Sequence, residues 1–240
     1  MLTPEKMASP GSMIAQRQYG ERIAEQVFLE AATQVSRATV EFALSSHTLP
    51  SPIALQEQWV STTQKALNRY DLPEDEHSWL YEVIAGDTMP SEMYDTAAAV
   101  VMDSVTHSYS RKHFEEELRR ALDLETGDVE QIPDALTAAL KFFGTSWLKR
   151  IKRKARTTGT RWSGWLTQNG IMILGIPHKR WVTRRDTHVR ESHAAIDGMT
   201  IPTHDLFPVG GYSLEYPGES SGPPEEVINC RCVLTAVLRP

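Results

Sequence analysis

The most informative part of the sequence lies near its C terminus, where residues 179–198 read KRWVTRRDTHVRESHAAIDG. Lys179 to Thr183 predicts a short strand. Asp186 to Ala195 predicts one short helix, with Asp186 near its N-cap and Gly198 just after its end. A strand followed by a short helix therefore forms the centre of the predicted C-terminal fold.

Two further strands are predicted on either side of this stretch. Ile171 to Leu174 is an apolar run between two glycines, which is typical of a short buried strand. Cys230 to Leu238 predicts a final strand, and residues 202–224 are rich in proline and glycine, which favours loops. Residues 159–240 are therefore predicted to form a small α+β module with long loops.

The region from residue 1 to residue 158 is predicted to be mainly helical and to serve protein–protein contacts. Apolar residues recur every three or four positions from Tyr19 to Phe42, which predicts an amphipathic helix of about thirty residues. Further helices are predicted to begin at Pro52, Pro73 and Pro90. The periodicity continues through Phe114–Leu122 and again from about Val129. The predicted fold class is thus α+β, with a helical region followed by the module.

Composition excludes several classes of protein. The chain has 240 residues, of which 40% are hydrophobic and 23% charged, so it is neither a disordered tail nor a membrane protein. No apolar run approaches the roughly 18 residues of a membrane-spanning helix. Met1 to Gly20 lacks the apolar core of a signal peptide. Two cysteines are too few for a disulfide scaffold, and we expect no membrane anchor.

Charge is strongly segregated along the chain. Residues 1–140 carry a net charge of −13, residues 141–190 carry +12, and residues 191–240 carry −5. The single acidic residue of the basic block is Asp186. A concentrated basic block in an acidic chain predicts a polyanionic partner or an acidic protein surface.

The basic block contains a dense run of cations followed by a tryptophan. The candidate DNA-binding residues are Lys149, Arg150, Lys152, Arg153, Lys154, Arg156, Arg161 and Trp162. Lysine and arginine neutralise phosphates, and tryptophan can stack on exposed bases, which indicates non-specific DNA contact. The alternatives are a solvated helix face and a patch that docks on an acidic protein.

Asp186, Arg190 and His193 form the first candidate polar site. Spacings of four and seven residues bring the three side chains to within about 40° of one line on a helix, where Asp186 can pair with Arg190. One interpretation is a functional site in which His193 carries a proton or binds a metal. The other is an ion-paired network that fixes the helix against the loops.

Cys230 and Cys232 form the second candidate site. Positions i and i+2 of a strand place both thiols on one face, and His193 would complete three ligands suited to zinc, with Asp186 as a candidate fourth. The alternatives are a reduced, half-buried thiol pair or a hydrogen bond between Cys230 and His193. A nucleophilic Cys–His pair lacks a predicted helix N-terminus or glycine-rich element near either cysteine.

The C-terminal residues resemble the signature of the phage Mu protein F-like family. The upstream matches are Lys179–Thr183, Asp186, Val189–Arg190, His193 and Asp197–Gly198. The downstream matches are Phe207, Leu214, Tyr216–Gly218, Pro224 and Ile228–Cys232. The motif residues that we expect to interact are Asp186, Arg190, His193, Asn229, Cys230 and Cys232. The resemblance covers about sixty residues.

The resemblance implies a minor head protein of a tailed phage. It implies partners at the portal protein and the inner capsid surface, contact with phage DNA, and roles in head morphogenesis, DNA packaging or DNA ejection. The expected location is the virion, in the head interior or at the portal vertex, after assembly in the host cytoplasm. Some relatives carry the module fused to toxin domains, and we expect none after Leu238 here.

The resemblance also bears on chemistry. It implies a structural protein rather than an enzyme, with no cofactor other than candidate zinc. In some relatives cysteine stands at the positions of Arg190 and His193, so Arg190 breaks that four-cysteine set here. The alternative function is a metal- or His-dependent enzyme that acts on nucleic acid or protein. Its centre would be Asp186, His188, His193, Asn229 and Cys230.

Overall fold

The computed structural model describes residues 3–46, 48–107, 110, 112–113, 115–116 and 145–238. The chain divides into two compact units. Unit 1 is built from Met1–Glu25 and Lys152–Pro240, and unit 2 from Gln26–Ile151. Both ends of the chain therefore contribute to unit 1.

Helices make up the first part of the described chain, and short strands with two short helices make up the last part, which confirms the predicted α+β class. The helices are α1 (Pro4–Ala8), α2 (Pro10–Ser46), α3 (Pro52–Leu67), α4 (Glu74–Ala85), α5 (Met89–His107), α6 (Thr145–Ile173), α7 (Glu191–Ala194) and α8 (Pro224–Val227). The strands are β1 (His178–Val182), β2 (Thr200–Pro202), β3 (Phe207–Val209), β4 (Tyr212–Leu214) and β5 (Val233–Val237). The helices predicted at Pro52, Pro73 and Pro90 are present. Only residues 115 and 116 of the segment predicted over 114–122 are described, and the helix predicted from residue 129 begins outside the described residues.

Unit 2 has a helical core around Trp59. Trp59 is fully buried in α3 and its ring lies 6.0 Å from that of Phe28. Its indole N–H donates to the carbonyl of Ile84 in α4 at 2.7 Å. This bond satisfies the indole donor, which would otherwise be costly to bury.

Unit 1 contains a three-stranded antiparallel sheet in the order β2–β1–β5. The strands predicted at 179–183 and 230–238 are confirmed as β1 and β5, with bounds of 178–182 and 233–237. Trp181 of β1 and Leu234 of β5 are paired in register and fully buried. Met7 of α1 belongs to the same apolar core, so the N-terminal helix packs in the module.

The apolar run at 171–174 was predicted as a strand, and that prediction is wrong. The run is the C-terminal end of α6, where Ile173 is 74% exposed. The Gly175 amide bonds to the Met172 carbonyl and the Ile176 amide to the Ile171 carbonyl, while Gly175 has a φ of +61°. This is a Schellman motif, and the buried Ile171 and Ile176 supply its apolar contact.

The helix predicted from Asp186 to Ala195 is also wrong in extent. Only Glu191–Ala194 are helical. Arg185 has a φ of +56°, and the Asp186 carboxylate accepts a hydrogen bond from the His188 amide at 3.0 Å. This local turn competes with the helix, so Asp186 lies on a loop and does not share a helical face with His193.

Helices α2 and α6 approach each other closely within unit 1 at Gly159. A Cβ atom placed on Gly159 would lie 2.6 Å from the Glu21 amide nitrogen and 2.9 Å from the Arg17 carbonyl oxygen. The domain boundary predicted between residues 158 and 159 falls inside α6. That the parts before and after it differ in function stays a prediction. None of the helices in the described part of the chain is long and apolar enough to cross a bilayer.

Candidate functional site

His193 of α7 lies in the interior of unit 1 beside both cysteines. Its Nδ1 atom is 3.3 Å from Sγ of Cys232 and 3.6 Å from Sγ of Cys230. The three side chains are buried, with exposed fractions of 2%, 4% and 1% respectively. The structure therefore brings the candidate metal ligands together, although Cys230 and Cys232 precede β5 and do not lie within a strand as the sequence interpretation expected.

The chain around each cysteine explains this placement. Asn229 adopts a left-handed conformation with a φ of +61°, which turns the chain after α8 toward β5. The hydroxyl of Thr160 in α6 donates to the Cys230 carbonyl, and the Asn229 amide donates to the Thr157 hydroxyl at 2.9 Å. These bonds fix the segment from Asn229 to Cys232 along α6 before β5 begins.

Glu226 contacts the other side of the imidazole and was not predicted from the sequence. Its Oε2 lies 3.0 Å from Nε2 of His193, although the two are not aligned as in a good hydrogen bond. The same oxygen accepts a hydrogen bond from the Ser192 hydroxyl at 2.8 Å. An acidic residue in a proline-rich turn carries no sequence signal of this role, because the contact depends on how α8 packs against α7.

Aromatic side chains enclose the cluster formed by His193, Cys230, Cys232 and Glu226, here called the His–Cys cluster. Trp181 meets His193 edge to face with ring centroids 5.4 Å apart, and Phe207 meets Trp181 in the same way at 5.3 Å. An apolar surrounding strengthens electrostatic contacts inside it.

The two thiols shift each other's pKa in opposite directions. The hydrogen bond from Cys232 lowers the pKa of the Cys230 thiol, against the opposing effect of burial, and His193 lowers it further. The same bond to Cys230, together with burial, raises the pKa of Cys232. Cys230 is therefore the thiol that ionises first, and the thiolate is the form that binds metals.

The remaining motif residues do not join the His–Cys cluster. Asp186 was predicted to pair with Arg190 and to be a candidate fourth ligand; instead it is exposed and pairs with Arg231. The Arg190 guanidinium donates to the Ile228 carbonyl. The side-chain oxygen of Asn229 accepts from Arg156 at 2.8 Å. These residues contact the loops around the cluster, but Asp186 pairs with Arg231 and not with Arg190 as the network interpretation required.

A cavity of about 840 Å³ lies in unit 1 and is lined mainly by cations. Six arginines line it, namely Arg17, Arg22, Arg156, Arg184, Arg190 and Arg231. The carboxylates of Glu21 and Glu25 and the side chain of His188 also contribute to the lining. We call this the arginine cavity.

Buried charge in the arginine cavity is only partly neutralised. Arg17 is 2% exposed and pairs with Glu21 at 2.8 Å, and Arg156 pairs with the same glutamate at 3.2 Å. Burial lowers the pKa of Arg17, and its Nε has no hydrogen-bond partner among the described residues. The cavity therefore suits an anion, because guanidinium groups bind phosphate and carboxylate oxygens in pairs.

The predicted DNA-binding residues lie in different surroundings. Lys149, Arg150, Lys152 and Arg153 are exposed on α6, Lys154 is half-buried, and Arg156 lines the arginine cavity. Arg161 instead donates to the Gly218 carbonyl at 3.0 Å. Trp162 is 1% exposed and packs beside Tyr19 and Gly20, so it is not available to stack on a base.

The sequence interpretation missed Arg17, Arg22 and Arg184 as cavity residues. Arg17 and Arg22 lie in the acidic N-terminal part of the chain, more than 130 residues before Arg156. Only the crossing of α2 and α6 brings them together, so no spacing along the chain could indicate it.

A family model matches residues 99–235, which is more than half of the chain, and its description is phage Mu protein F like protein. The chain belongs to the phage Mu protein F-like family. The matched range of this Mu F-like protein includes the His–Cys cluster and Arg156, Arg184, Arg190 and Arg231 of the arginine cavity. Residues 1–25 lie outside the match, although they complete the same unit.

Membership of the Mu F-like family identifies a bacteriophage head morphogenesis protein. The family indicates a location in the virion. The chain is also 33% identical over 94 residues to the NAD(+)--arginine ADP-ribosyltransferase EFV of Enterococcus faecalis (strain ATCC 700802 / V583). That similarity covers 38% of this chain and 19% of the relative's length. No solved structure matches the chain significantly.

Proposed function

We propose that this Mu F-like protein is a structural minor head protein that contacts the portal protein and the inner capsid surface and binds packaged DNA through the arginine cavity. The observation that carries the DNA contact is the set of six arginines around one cavity. DNA inside a phage head is a dense polyanion, and each phosphate neutralised by an arginine releases a counterion.

The charge within the cavity supports an external anion rather than internal pairing alone. Arg17 and Arg156 share the carboxylate of Glu21. Arg190 bonds to a backbone carbonyl. Arg184 and Arg231 share the Asp186 carboxylate, with Arg184 3.9 Å from Oδ2 and Arg231 paired with Oδ1. Arginines thus outnumber the carboxylates within their reach, and a phosphate would satisfy the excess.

Exposed cations on α6 extend the basic surface of unit 1. Lys152 and Arg153 are exposed and follow one another directly. Such a surface suits contact with the phosphate backbone of DNA without recognition of its bases, because phosphate contacts carry no sequence information. This supports DNA binding that is non-specific in sequence.

A fluorescence titration of the purified chain with a duplex of arbitrary sequence tests the DNA contact. We expect affinity to fall as salt rises, with a log–log slope of about −0.9 for each phosphate contacted. Two unrelated duplexes should bind equally well. A chain that binds an acidic portal surface but no duplex would overturn the DNA part of the proposal and favour the acidic-protein alternative.

Quantitative protein analysis of purified virions tests the location at the portal vertex and inner capsid. We expect the protein in DNA-filled heads, in far fewer copies than the major capsid protein, and cross-linked to portal subunits. Heads that contain the portal but lack this chain would overturn the location.

We also propose that the chain is not an enzyme. The His–Cys cluster is almost completely buried, which restricts substrate access, and Asp186 is not part of it. The transferase named above shares only 19% of its length with this chain, so its activity need not reside in the shared part. Incubation with NAD+ and an arginine acceptor should release no nicotinamide. Release that disappears in a folded His193→Ala variant would support the enzyme alternative.

A further inference from the structure

The His–Cys cluster has the donor atoms and spacing of a metal site. Nδ1 of His193 and the two sulfurs all lie within 4.8 Å of one another. A tetrahedral zinc ion with bonds of about 2.3 Å to sulfur and about 2.05 Å to nitrogen separates these atoms by about 3.5 Å. The observed separations of Nδ1 from the sulfurs, 3.3 and 3.6 Å, bracket that value.

We propose that His193, Cys230 and Cys232 bind one zinc ion. Two thiolates and one imidazole form a soft donor set that suits zinc and does not suit magnesium or calcium, which prefer oxygen. Each thiol loses its proton on binding, so the two cysteines supply two negative charges to balance the ion.

Glu226 has the position of a carboxylate that orients a metal-bound histidine. It faces Nε2, the nitrogen that the metal would not use, at 3.0 Å. A carboxylate that faces Nε2 keeps the imidazole proton on Nε2. The unprotonated Nδ1 is then free to bind the metal. Ser192 in turn donates to Glu226 at 2.8 Å and holds the carboxylate in place.

The proposed ion would join two distant segments of unit 1. His193 is on α7, whereas Cys232 lies 39 residues further along, just before β5. Among the described residues no fourth histidine, cysteine or carboxylate belongs to the group, so a water molecule is the candidate for the fourth position. Because the site is buried, we assign the ion a structural role in holding α7 against the β5 segment.

Metal analysis of the full chain, purified without a histidine tag, tests the proposal. We expect about one zinc per chain, and a thiolate charge-transfer band when cobalt replaces zinc. The variants Cys230→Ser and Cys232→Ser should lose both signals. His204→Ala removes an exposed histidine of the same unit and should keep both.

Glu226→Gln provides a test that leaves all three ligands in place. We expect zinc affinity to fall about 10- to 100-fold, as is typical when a residue behind a ligand is replaced. Circular dichroism checks that this variant is folded. Affinity equal to that of the native chain would overturn the orienting role of Glu226.

A metal-free cluster is the competing explanation, in which two reduced thiols share hydrogen bonds with His193. It predicts no zinc in the purified chain, no cobalt band after reconstitution, and a melting temperature unchanged by a strong chelator. That result would overturn the zinc proposal even if every variant failed to fold, because it is measured on the native chain.

Discussion

Gly159 of α6 lies against the backbone of Glu21 in α2, so closely that a Cβ atom on Gly159 would be 2.6 Å from the Glu21 nitrogen. Real Cβ atoms do not approach another atom this closely, and the obstructing atoms are backbone that cannot rotate away. Glycine is therefore required at this crossing. The crossing positions Arg17 and Arg156 on the same cavity.

Gly159→Ala should destabilise unit 1 by about 1–3 kcal/mol through overpacking. This outweighs the gain in helix propensity of up to about 1 kcal/mol. Hydrogen–deuterium exchange of the α6 amides measures this loss of stability at the helix itself. Gly11→Ala is the matched control, since the nearest atom to its Cβ would be 3.8 Å away, and it should be neutral or slightly stabilising. Equal effects of the two substitutions would contradict the close crossing.

Arg184→Gln should weaken DNA binding and reduce the salt slope by about 1, because it removes one phosphate contact from the arginine cavity. Arg180→Gln removes the same charge from β1, where Arg180 is exposed and bonds to Thr200. Titration of both variants compares the two sites. A larger loss for Arg180→Gln would place the DNA contact outside the cavity.

Trp162→Phe should leave DNA affinity unchanged, because the indole is buried beside Gly20 and cannot reach a base. The substitution should instead lower the thermal stability, since a smaller ring leaves a void in the interior. Parallel DNA titration and thermal melting separate the two effects. A strong loss of DNA affinity in a variant with native stability would restore the stacking interpretation.

Asp197 should contribute an acid-sensitive part of the stability. Burial raises its pKa, but hydrogen bonds from the Thr183 amide at 2.8 Å and from Arg185 at 2.7 Å outweigh burial and lower it overall. The contribution is therefore present above the ordinary carboxyl pKa and is lost as pH falls through the lowered value. Asp197→Asn should cost about 1–2 kcal/mol near neutral pH and much less in acid.

Urea unfolding at several pH values measures this difference. Asp205→Asn serves as the control because Asp205 is an exposed carboxylate of the same unit. If Asp197→Asn and the native chain lose stability in parallel as pH falls, the hydrogen bonds to Asp197 do not have the effect described.

Lys179→Met should cost about 2–3 kcal/mol. Its ammonium group is buried and donates to Gln168 at 3.3 Å and to the Glu215 carbonyl at 3.0 Å, so the substitution leaves two buried acceptors unpaired. Arg180→Met on the opposite face of β1 should have a much smaller effect. Thermal unfolding of both variants measures the two losses of stability. Similar losses would contradict the stabilising role of the buried Lys179 hydrogen bonds.

Sequence patterns predicted the features that depend on local physics. Apolar periodicity located α2, because a helix repeats every 3.6 residues. The apolar run ending at Leu174 was misread, since a short run between glycines fits a helix end as well as a strand. Asp186 was misplaced because its carboxylate accepts a hydrogen bond from the His188 amide, which favours a turn over a helix.

Contacts between distant segments could not be predicted. Glu226 reaches His193 across 33 residues of chain, and Arg17 shares the Glu21 carboxylate with Arg156, which lies 139 residues further along. No periodicity encodes such pairs, because they result from the packing of whole elements. The proximity of His193, Cys230 and Cys232 was expected from the sequence. The residue behind them and most of the arginine cavity were not.

The origin of unit 1 from both ends of the chain has a consequence for synthesis on the ribosome. Met7, Met13 and Ile23 are buried, yet the residues that complete their unit begin only at Lys152. At a translation rate of roughly 5–20 residues per second, Met7, Met13 and Ile23 emerge about ten seconds or more before β5 does. The whole of unit 2 is translated in that interval. Residues 1–25 must therefore remain soluble as a nascent segment until the last strand leaves the exit tunnel.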